Sequence, residues 1–324
     1  EFDAFVHHSS EPQTFLVSAD GVSRYYEVTD KPKTFSFEQT IPVDGVIQFH
    51  AVDLPGWVND PIPKKAAGLG FGPVTLTGPL HSVWPPDSHQ DLIGDIDIKQ
   101  ASIEDGTEIL RRFLPRAFRR PVTDAEHRRY VMLVEDRLKA GRSFEEAIRV
   151  GLAAALCSPN FLYLREVERP VNQRISGFEI ASRLSFFLWN SIPDAPLMQL
   201  AADGKLDQQE RLAEQVDRML DDPKSARFVA NFTDHWLHLR RIHETTPDGK
   251  LFPEFDDHLK HSMLAESRAY FRNLCDSDRS IDLFLDSDFT MLNRRLAGHY
   301  GVPDVVGATV HAVDLPPESV RGGV

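Results

Sequence analysis

The sequence predicts an α+β chain in two segregated parts, an N-terminal antiparallel β-sandwich followed by an all-α multi-helix domain. Three observations support this division. Short β-branched and aromatic runs fill the first eighty residues, and helix caps with helical periodicity begin near residue 103. The charge also changes near residue 100, because the first hundred residues hold 14 acidic and 6 basic side chains, a balance of −8 out of a total of −13.

The first eighty residues alternate between short apolar runs and turn formers. Asp20-Gly21 and Asp44-Gly45 are examples of the turns. β-branched and aromatic runs at roughly ten-residue spacing are typical of an antiparallel sandwich. The predicted strands cover residues 14–17, 25–28, 34–37, 46–49 and 74–77. Five strands are few for a closed sandwich, so we expect an incomplete one.

The residues after 103 carry helix signals. Ser or Thr followed three residues later by Glu predicts a capping box, in which each side chain bonds the backbone N–H of the other residue. These pairs are Thr123/Glu126, Ser143/Glu146, Ser176/Glu179 and, with Asp in first position, Asp207/Glu210. Apolar residues recur at helical spacing behind them. The predicted helices cover residues 103–118, 123–139, 143–156, 176–189, 194–202, 207–220, 223–239, 254–275 and 288–299.

These patterns predict four segments. Residues 1–80 form the β-sandwich, 81–102 an irregular connector, and 103–304 the all-α domain. Residues 305–324 are expected to be the start of a further, truncated segment.

Composition excludes several classes of function. A net charge of −13 makes the chain a poor partner for nucleic acid or anionic membranes. No run reaches about 18 apolar residues, so we expect no membrane span. The chain has no CxxCH and no CxxC motif, so it carries no haem attachment site or Cys-rich zinc site of its own. Its two cysteines, Cys157 and Cys275, are either bridged or two buried thiols.

Several strings in the helical part resemble one family. They are residues 111–123 (RRFLPRAFRRPVT), 156–163 (LCSPNFLY), 181–189 (ASRLSFFLW), 252–256 (FPEFD), and Leu292-Asn293 with Leu296, His299, Tyr300 and Gly301. In this order they resemble the helical domains of unknown function in large secreted planctomycete-type proteins. The resemblance covers about residues 100–304 and identifies a family rather than a reaction.

The resemblance implies a setting for the chain. A cytochrome-c-like module with c-type haem would precede this region in the same parent protein, and a further domain would follow it. The chain would be exported, to the periplasm or the cell surface. The strands before the helices resemble, by placement and pattern, a carbohydrate-binding module, which makes glycan a partner.

Candidate carbohydrate-binding residues lie in loops of the β part. They are Trp57, Asn59, Asp60 and Trp84. An indole ring offers a sugar apolar area, and Asn and Asp bond its hydroxyl groups. The alternative is a tryptophan that covers the open end of the sandwich.

Candidate metal ligands lie at the start of the helix predicted at 254–275. Glu254 and His258 are four residues apart, as are Asp257 and His261, so each pair shares a helix face. Imidazole and carboxylate are ligands for a divalent ion. The alternative is that the helix dipole favours the acidic side chains in the first turn, and that the histidines face solvent.

Candidate catalytic residues are Arg183, Asp234, Glu266 and His299. Arg183 would clamp an anion and His299 would act as a general base; the alternatives are a structural ion pair and a helix C-cap. Three hypotheses follow: an interaction and scaffold region, an oxidoreductase passing electrons from a carbohydrate-like substrate to the haem module, and a metal-dependent hydrolase. An enzyme requires these side chains to converge in a pocket, whereas a scaffold requires them to be dispersed and already paired.

Overall fold

The computed structural model describes residues 1–41, 44–52, 66–78, 80, 85–164, 174–244, 246–316, 319 and 322–323. Contacts between residues divide the chain into two compact units. Unit 1 combines Glu1–Pro79 with Val229–Val324, and unit 2 is Leu80–Phe228. The four predicted segments stay a prediction, because a division by contacts does not test which segments fold independently.

The N-terminal part of unit 1 consists of two antiparallel three-stranded sheets. The strands are β1 (Phe2–His7), β2 (Gln13–Ala19), β3 (Val22–Val28), β4 (Lys33–Phe35), β5 (Ile47–Ala51) and β6 (Gly68–Phe71). One sheet has the order β4-β1-β6 and the other β3-β2-β5. The predicted sandwich is confirmed.

Alternating side chains of these strands form the core between the two sheets. Phe2, Ala4 and Val6 of β1 pack with Phe15 and Val17 of β2. Two-residue periodicity sends every second residue of a strand to the same face. The other faces of β1 and β2 therefore remain available for contacts outside this core.

One predicted strand is wrong. Residues 74–77 form no strand, and β6 lies just before them. Thr75 still exchanges two backbone hydrogen bonds of 2.8 Å with Glu1. β1 itself was not predicted.

Unit 2 is helical over its described residues. Its helices are α1 (Asp87–Ile93), α2 (Ile103–Phe118), α3 (Asp124–Lys139), α4 (Phe144–Leu156), α5 (Pro159–Leu162), α6 (Gly177–Trp189), α7 (Ala195–Ala202) and α8 (Gln209–Asp221). One core joins α2, α3 and α4, and another joins α6, α7 and α8. Trp189, 1% exposed, belongs to the second core and donates from Nε1 to the Met219 carbonyl at 2.8 Å.

The capping boxes predicted at Thr123, Ser143 and Ser176 are all present. The box predicted at Asp207 is wrong. Helix α8 follows Gln208, whose side chain makes no cap hydrogen bond. Conversely, Ser102 and Asp105 form a box at the start of α2 that was not predicted.

The chain passes from unit 2 to unit 1 within α9 (Ala226–Trp236). Unit 1 then contains α10 (Asp257–Asp276), β7 (Phe289–Leu292), α11 (Arg294–Tyr300) and β8 (His311–Asp314). The helix predicted over 288–299 is therefore wrong in its first half, where β7 pairs with β8. Asn293 caps α11 and Gly301 ends it in the left-handed region, with φ 73°.

Both cysteines are free and exposed, so neither alternative for them holds. No helix among the described residues has the length and apolar character needed to cross a membrane.

Candidate functional site

Helix α10 and the segment after it carry most of the candidate residues of unit 1. Asp256 starts α10, because its Oδ1 accepts a hydrogen bond from the Leu259 backbone N–H at 2.6 Å. Its Oδ2 accepts from Arg295 Nη2 at 2.9 Å, which ties α10 to α11. Glu254 lies before the helix, so its predicted helical pairing with His258 is wrong.

His258 and His261 contact Tyr25 of β3. The His258 ring is 2% exposed and stacks on the Tyr25 ring, with centroids 4.4 Å apart and planes inclined by 13°. His261 is exposed and its Nδ1 lies 3.2 Å from the Tyr25 hydroxyl. The two histidines thus join the outer face of one sheet to α10.

The tautomer of His261 follows from its second contact. Nδ1 lies 2.6 Å from the backbone carbonyl oxygen of Asp257. A carbonyl oxygen only accepts, so Nδ1 carries the proton and donates it.

The environment of Tyr25 holds its phenol in the protonated form. Burial raises the pKa of Tyr25 to about 12, and the nearby negative charges of Asp257 and Asp256 act in the same direction. The Tyr25 hydroxyl therefore stays protonated throughout the physiological pH range.

Arg294 of α11 makes a second connection to the same sheet. Its Nε donates to Glu27 Oε2 at 2.7 Å, and its Nη2 donates to Thr14 Oγ1 at 3.0 Å. Thr14 and Glu27 are cross-strand partners in the pairing of β2 with β3. One guanidinium group therefore bridges two neighbouring strands and fixes them to α11.

Glu266 lies further along α10 and is half-buried. Its Oε1 accepts from Thr290 Oγ1 and its Oε2 accepts from the Tyr300 hydroxyl, both at 2.8 Å. Both carboxylate oxygens therefore bond side chains of this chain. The contacts link α10 to β7 and to the end of α11.

Asp234 of α9 has a different partner on α10. Arg268 Nε donates to Asp234 Oδ1 at 2.8 Å and Nη2 donates to Oδ2 at 2.9 Å, a two-point contact. Arg240 Nε lies 3.7 Å from Oδ2. The Asp234 side chain is 10% exposed. This arrangement is that of a structural ion pair between α9 and α10.

Asn293, which belongs to one of the family strings, lies beside Ser262, which was not predicted as a site residue. Asn293 is buried and donates from Nδ2 to Ser262 Oγ at 2.9 Å and to the Ala308 carbonyl at 3.0 Å. Ser262 Oγ in turn donates to the His258 carbonyl at 2.7 Å. The sequence placed Asn293 inside a predicted helix over 288–299, and it gave no sign of the cap position or of the buried partners.

Three further predicted residues lie in the described part of the chain. Asp257 is exposed and lies 3.4 Å from Lys260 Nζ, and His299 is half-buried with its ring against Tyr300, centroids 5.5 Å apart. Arg183 is exposed on α6 in unit 2. The carbohydrate-binding candidates lie outside the described residues: Trp57, Asn59, Asp60 and Trp84. The catalytic and carbohydrate-binding roles of these residues stay predictions.

No three His, Cys, Asp or Glu side chains in the described part of the chain are placed to hold a metal ion. Three of the four ligands predicted near the start of α10 have other partners, and Asp257 pairs with Lys260. His258 is stacked on Tyr25, and His261 donates to a backbone carbonyl.

Unit 2 contains a surface cavity of about 530 Å³. Asp95, Asp97, Asp105, Glu108 and Arg112 contribute its charged groups. Asp105 also caps α2, and this hydrogen bonding to Ser102 lowers the pKa of the Asp105 carboxyl. None of the predicted site residues that the structure describes lines the cavity.

Two segments of the chain match models of protein families. Residues 175–302 match PSD4, described as a protein of unknown function (DUF1592), and residues 106–166 match PSD5, described as a protein of unknown function (DUF1595). The helical part of the chain thus contains two domains of unknown function, in agreement with the resemblance at that level. Comparison with the curated proteins and with the solved structures found no match.

Proposed function

We propose that this chain is an interaction and scaffold region of an exported multidomain protein. The parent protein carries a cytochrome-c-like module and a C-terminal domain, and the β part of this chain acts at polysaccharide or cell-surface glycan. The two matched domains of unknown function and the family strings support the setting. The glycan role is favoured by the sandwich and by its predicted loop residues.

The pairing of the catalytic candidates is the observation that carries the scaffold role. Asp234 is held at two points by Arg268, and both oxygens of Glu266 accept from hydroxyl groups. Each of these contacts joins two elements of unit 1. Carboxylates used in this way stabilise packing, which is what the scaffold hypothesis requires.

Polysaccharide binding tests this role directly. The purified chain is run in native gels that contain neutral xylan, laminarin or hydroxyethyl cellulose, and its retardation is measured against a non-binding marker protein. We expect retardation by at least one polymer and its reduction in Trp57→Ala and Trp84→Ala. Arg268→Met is the matched control, because it breaks the Asp234 ion pair of the helical part; it is expected to lower stability and leave retardation unchanged.

The enzymatic alternatives give other results in parallel measurements on the same preparation. Release of reducing sugar together with stoichiometric divalent metal, in protein purified without chelators, would replace the scaffold role by a metal-dependent hydrolase. Reduction of the haem of the purified parent protein by a carbohydrate would replace it by an oxidoreductase. Retardation by none of the polymers would overturn the glycan role.

A further inference from the structure

The outer face of the sheet β4-β1-β6 carries an aromatic ring among polar residues. Strand β1 places Ala4 and Val6 in the core, and Asp3, Phe5 and His7 on the opposite face. Asp3 and His7 are exposed, as is Thr34 of β4. Phe5 is half-buried without belonging to the core. Its position therefore needs an explanation other than core packing.

Phe5 lies over Gly70, its cross-strand partner on β6. A Cβ at position 70 would be 2.7 Å from Phe5 Cε2 and 2.9 Å from Cε1, with Cζ closer still. Such short distances to three adjacent ring carbons mean that the face of the ring, rather than its edge, covers Gly70. Gly70 does not have a positive φ, so the ring, and not the backbone, requires glycine there.

The ring is accompanied by groups that bond hydroxyls. The His7 ring lies beside it, with centroids 4.8 Å apart and planes inclined by 61°. Thr34 Oγ1 donates to Asp3 Oδ1 at 2.6 Å, which orients that carboxylate on the same face. An aromatic face with an imidazole beside it and a carboxylate on the same face of the sheet matches a sugar ring, which is apolar across its C–H face and carries hydroxyls at its rim.

We propose that Phe5 is the stacking platform for a sugar unit of a neutral polysaccharide, and that Asp3 and His7 bond the hydroxyls of that unit. The inference rests on the glycan role proposed above and places the binding surface on a sheet face instead of in the loops. The acidic balance of the first hundred residues disfavours anionic glycans, which makes a neutral polymer the occupant.

Two glycines of β6 provide a matched pair of variants. Gly70→Ala forces the Phe5 ring off the sheet, whereas Gly68→Ala adds the same methyl group to the same strand, where nothing lies within 4 Å. In the native gels described above, Gly70→Ala is expected to weaken binding about fivefold to tenfold, the scale of one aromatic contact. Gly68→Ala is expected to bind as tightly as the unsubstituted chain.

Variants of Phe5 keep the test valid if Gly70→Ala does not fold. Phe5→Leu retains an apolar contact over Gly70 but lacks a planar face, so it is expected to lose binding to the same extent while melting within a few degrees of the parent chain. Phe5→Tyr retains the face and is expected to bind.

The outcomes separate this inference from the proposed function. Binding that is weakened by Trp57→Ala or Trp84→Ala but unchanged by Phe5→Leu and Gly70→Ala would overturn the Phe5 platform and leave the glycan role standing. Equal weakening of binding by Gly68→Ala and Gly70→Ala would also overturn it, because the loss would then come from a general disturbance of β6 and not from displacement of the Phe5 ring. Absence of binding by the unsubstituted chain would overturn both the Phe5 platform and the glycan role.

Discussion

Tyr25 and His258 stack face to face, with ring centroids 4.4 Å apart, and so pack a strand of the N-terminal sheet against the first turn of α10. The His258 side chain is buried, while the Tyr25 hydroxyl reaches His261 at 3.2 Å. The stack and the Arg294 bridge together hold the outer face of the sheet β3-β2-β5 to the C-terminal elements of unit 1.

The raised pKa of Tyr25 makes stability depend on pH in alkali. The phenol has an ordinary pKa of 10.0 and a pKa of about 12 in the folded chain. The folded state therefore holds the proton more tightly, and the stability that this provides is lost as the pH rises from 10 through 12. Urea unfolding across this range should show a shallower loss in Tyr25→Phe than in the parent chain. Tyr163→Phe, at an exposed tyrosine, should follow the parent.

The Arg294 bridge is expected to stabilise unit 1. Arg294→Met leaves Glu27 and the buried Thr14 without this donor, which should lower the free energy of unfolding by about 2 kcal/mol. Chemical denaturation measures the change. In a double-mutant cycle with Glu27→Gln the two losses should be less than additive; strict additivity would show that the two side chains do not interact in solution.

Arg119 is expected to be one of the most sensitive positions of unit 2. It is 4% exposed and donates to the backbone carbonyls of Asn160, Phe161 and Tyr163 at 2.9–3.1 Å. Arg119→Met leaves these carbonyls without that donor and should cost about 3 kcal/mol or more. Thermal unfolding of the exposed Arg116→Met should change little. A similar effect of both substitutions would contradict the structural role.

Glu126 makes stability depend on pH in acid. Hydrogen bonds from Arg120 are the largest cause that lowers the pKa of Glu126 from 4.5 to about 2. The unfolded state therefore binds the proton first, and the stabilisation, present above pH 4.5, is lost as the pH falls toward 2. Glu126→Gln should flatten this part of the acid unfolding curve. Glu145→Gln, at a more exposed ion pair, should leave it unchanged.

Gly151 allows α3 and α4 to approach closely. A Cβ at this position would lie 2.7 Å from Val134 Cγ2. Gly151→Ala is expected to destabilise the chain by about 1–3 kcal/mol through overpacking. Val134→Ala opens space for the added methyl group, so the double variant should lose less stability than the sum of the two single losses. Differential scanning calorimetry of the two single variants and the double variant would show this.

The helices were predictable because their end signals are local. Thr123, Ser143 and Ser176 each form the expected box with a glutamate three residues on, and no distant contact is needed. The segment 289–292 has apolar residues that fit a helix equally well. It became a strand because it pairs with residues 311–314, a partner that periodicity does not reveal.

The candidate site was predictable as a set of residue types but not as an arrangement. The histidines of α10 were identified, yet their partner Tyr25 lies 236 residues from His261. Arg294 likewise bonds Glu27 across 267 residues. Contacts at such separations depend on how the elements pack, and residue spacing in one sequence carries no information on this.

The discontinuity of unit 1 has a consequence for biosynthesis. Its strands leave the ribosome before its helices, and the helices that cover the sheet β3-β2-β5 follow only after all of Leu80–Phe228 has been made. The nascent chain must therefore carry an uncovered sheet face while unit 2 can already fold behind it. Contacts between segments so far apart in sequence form slowly. Until they form, the exposed sheet can pair with segments that it does not contact in the folded chain. A holdase that binds the emerging N-terminal strands would meet this need during translation.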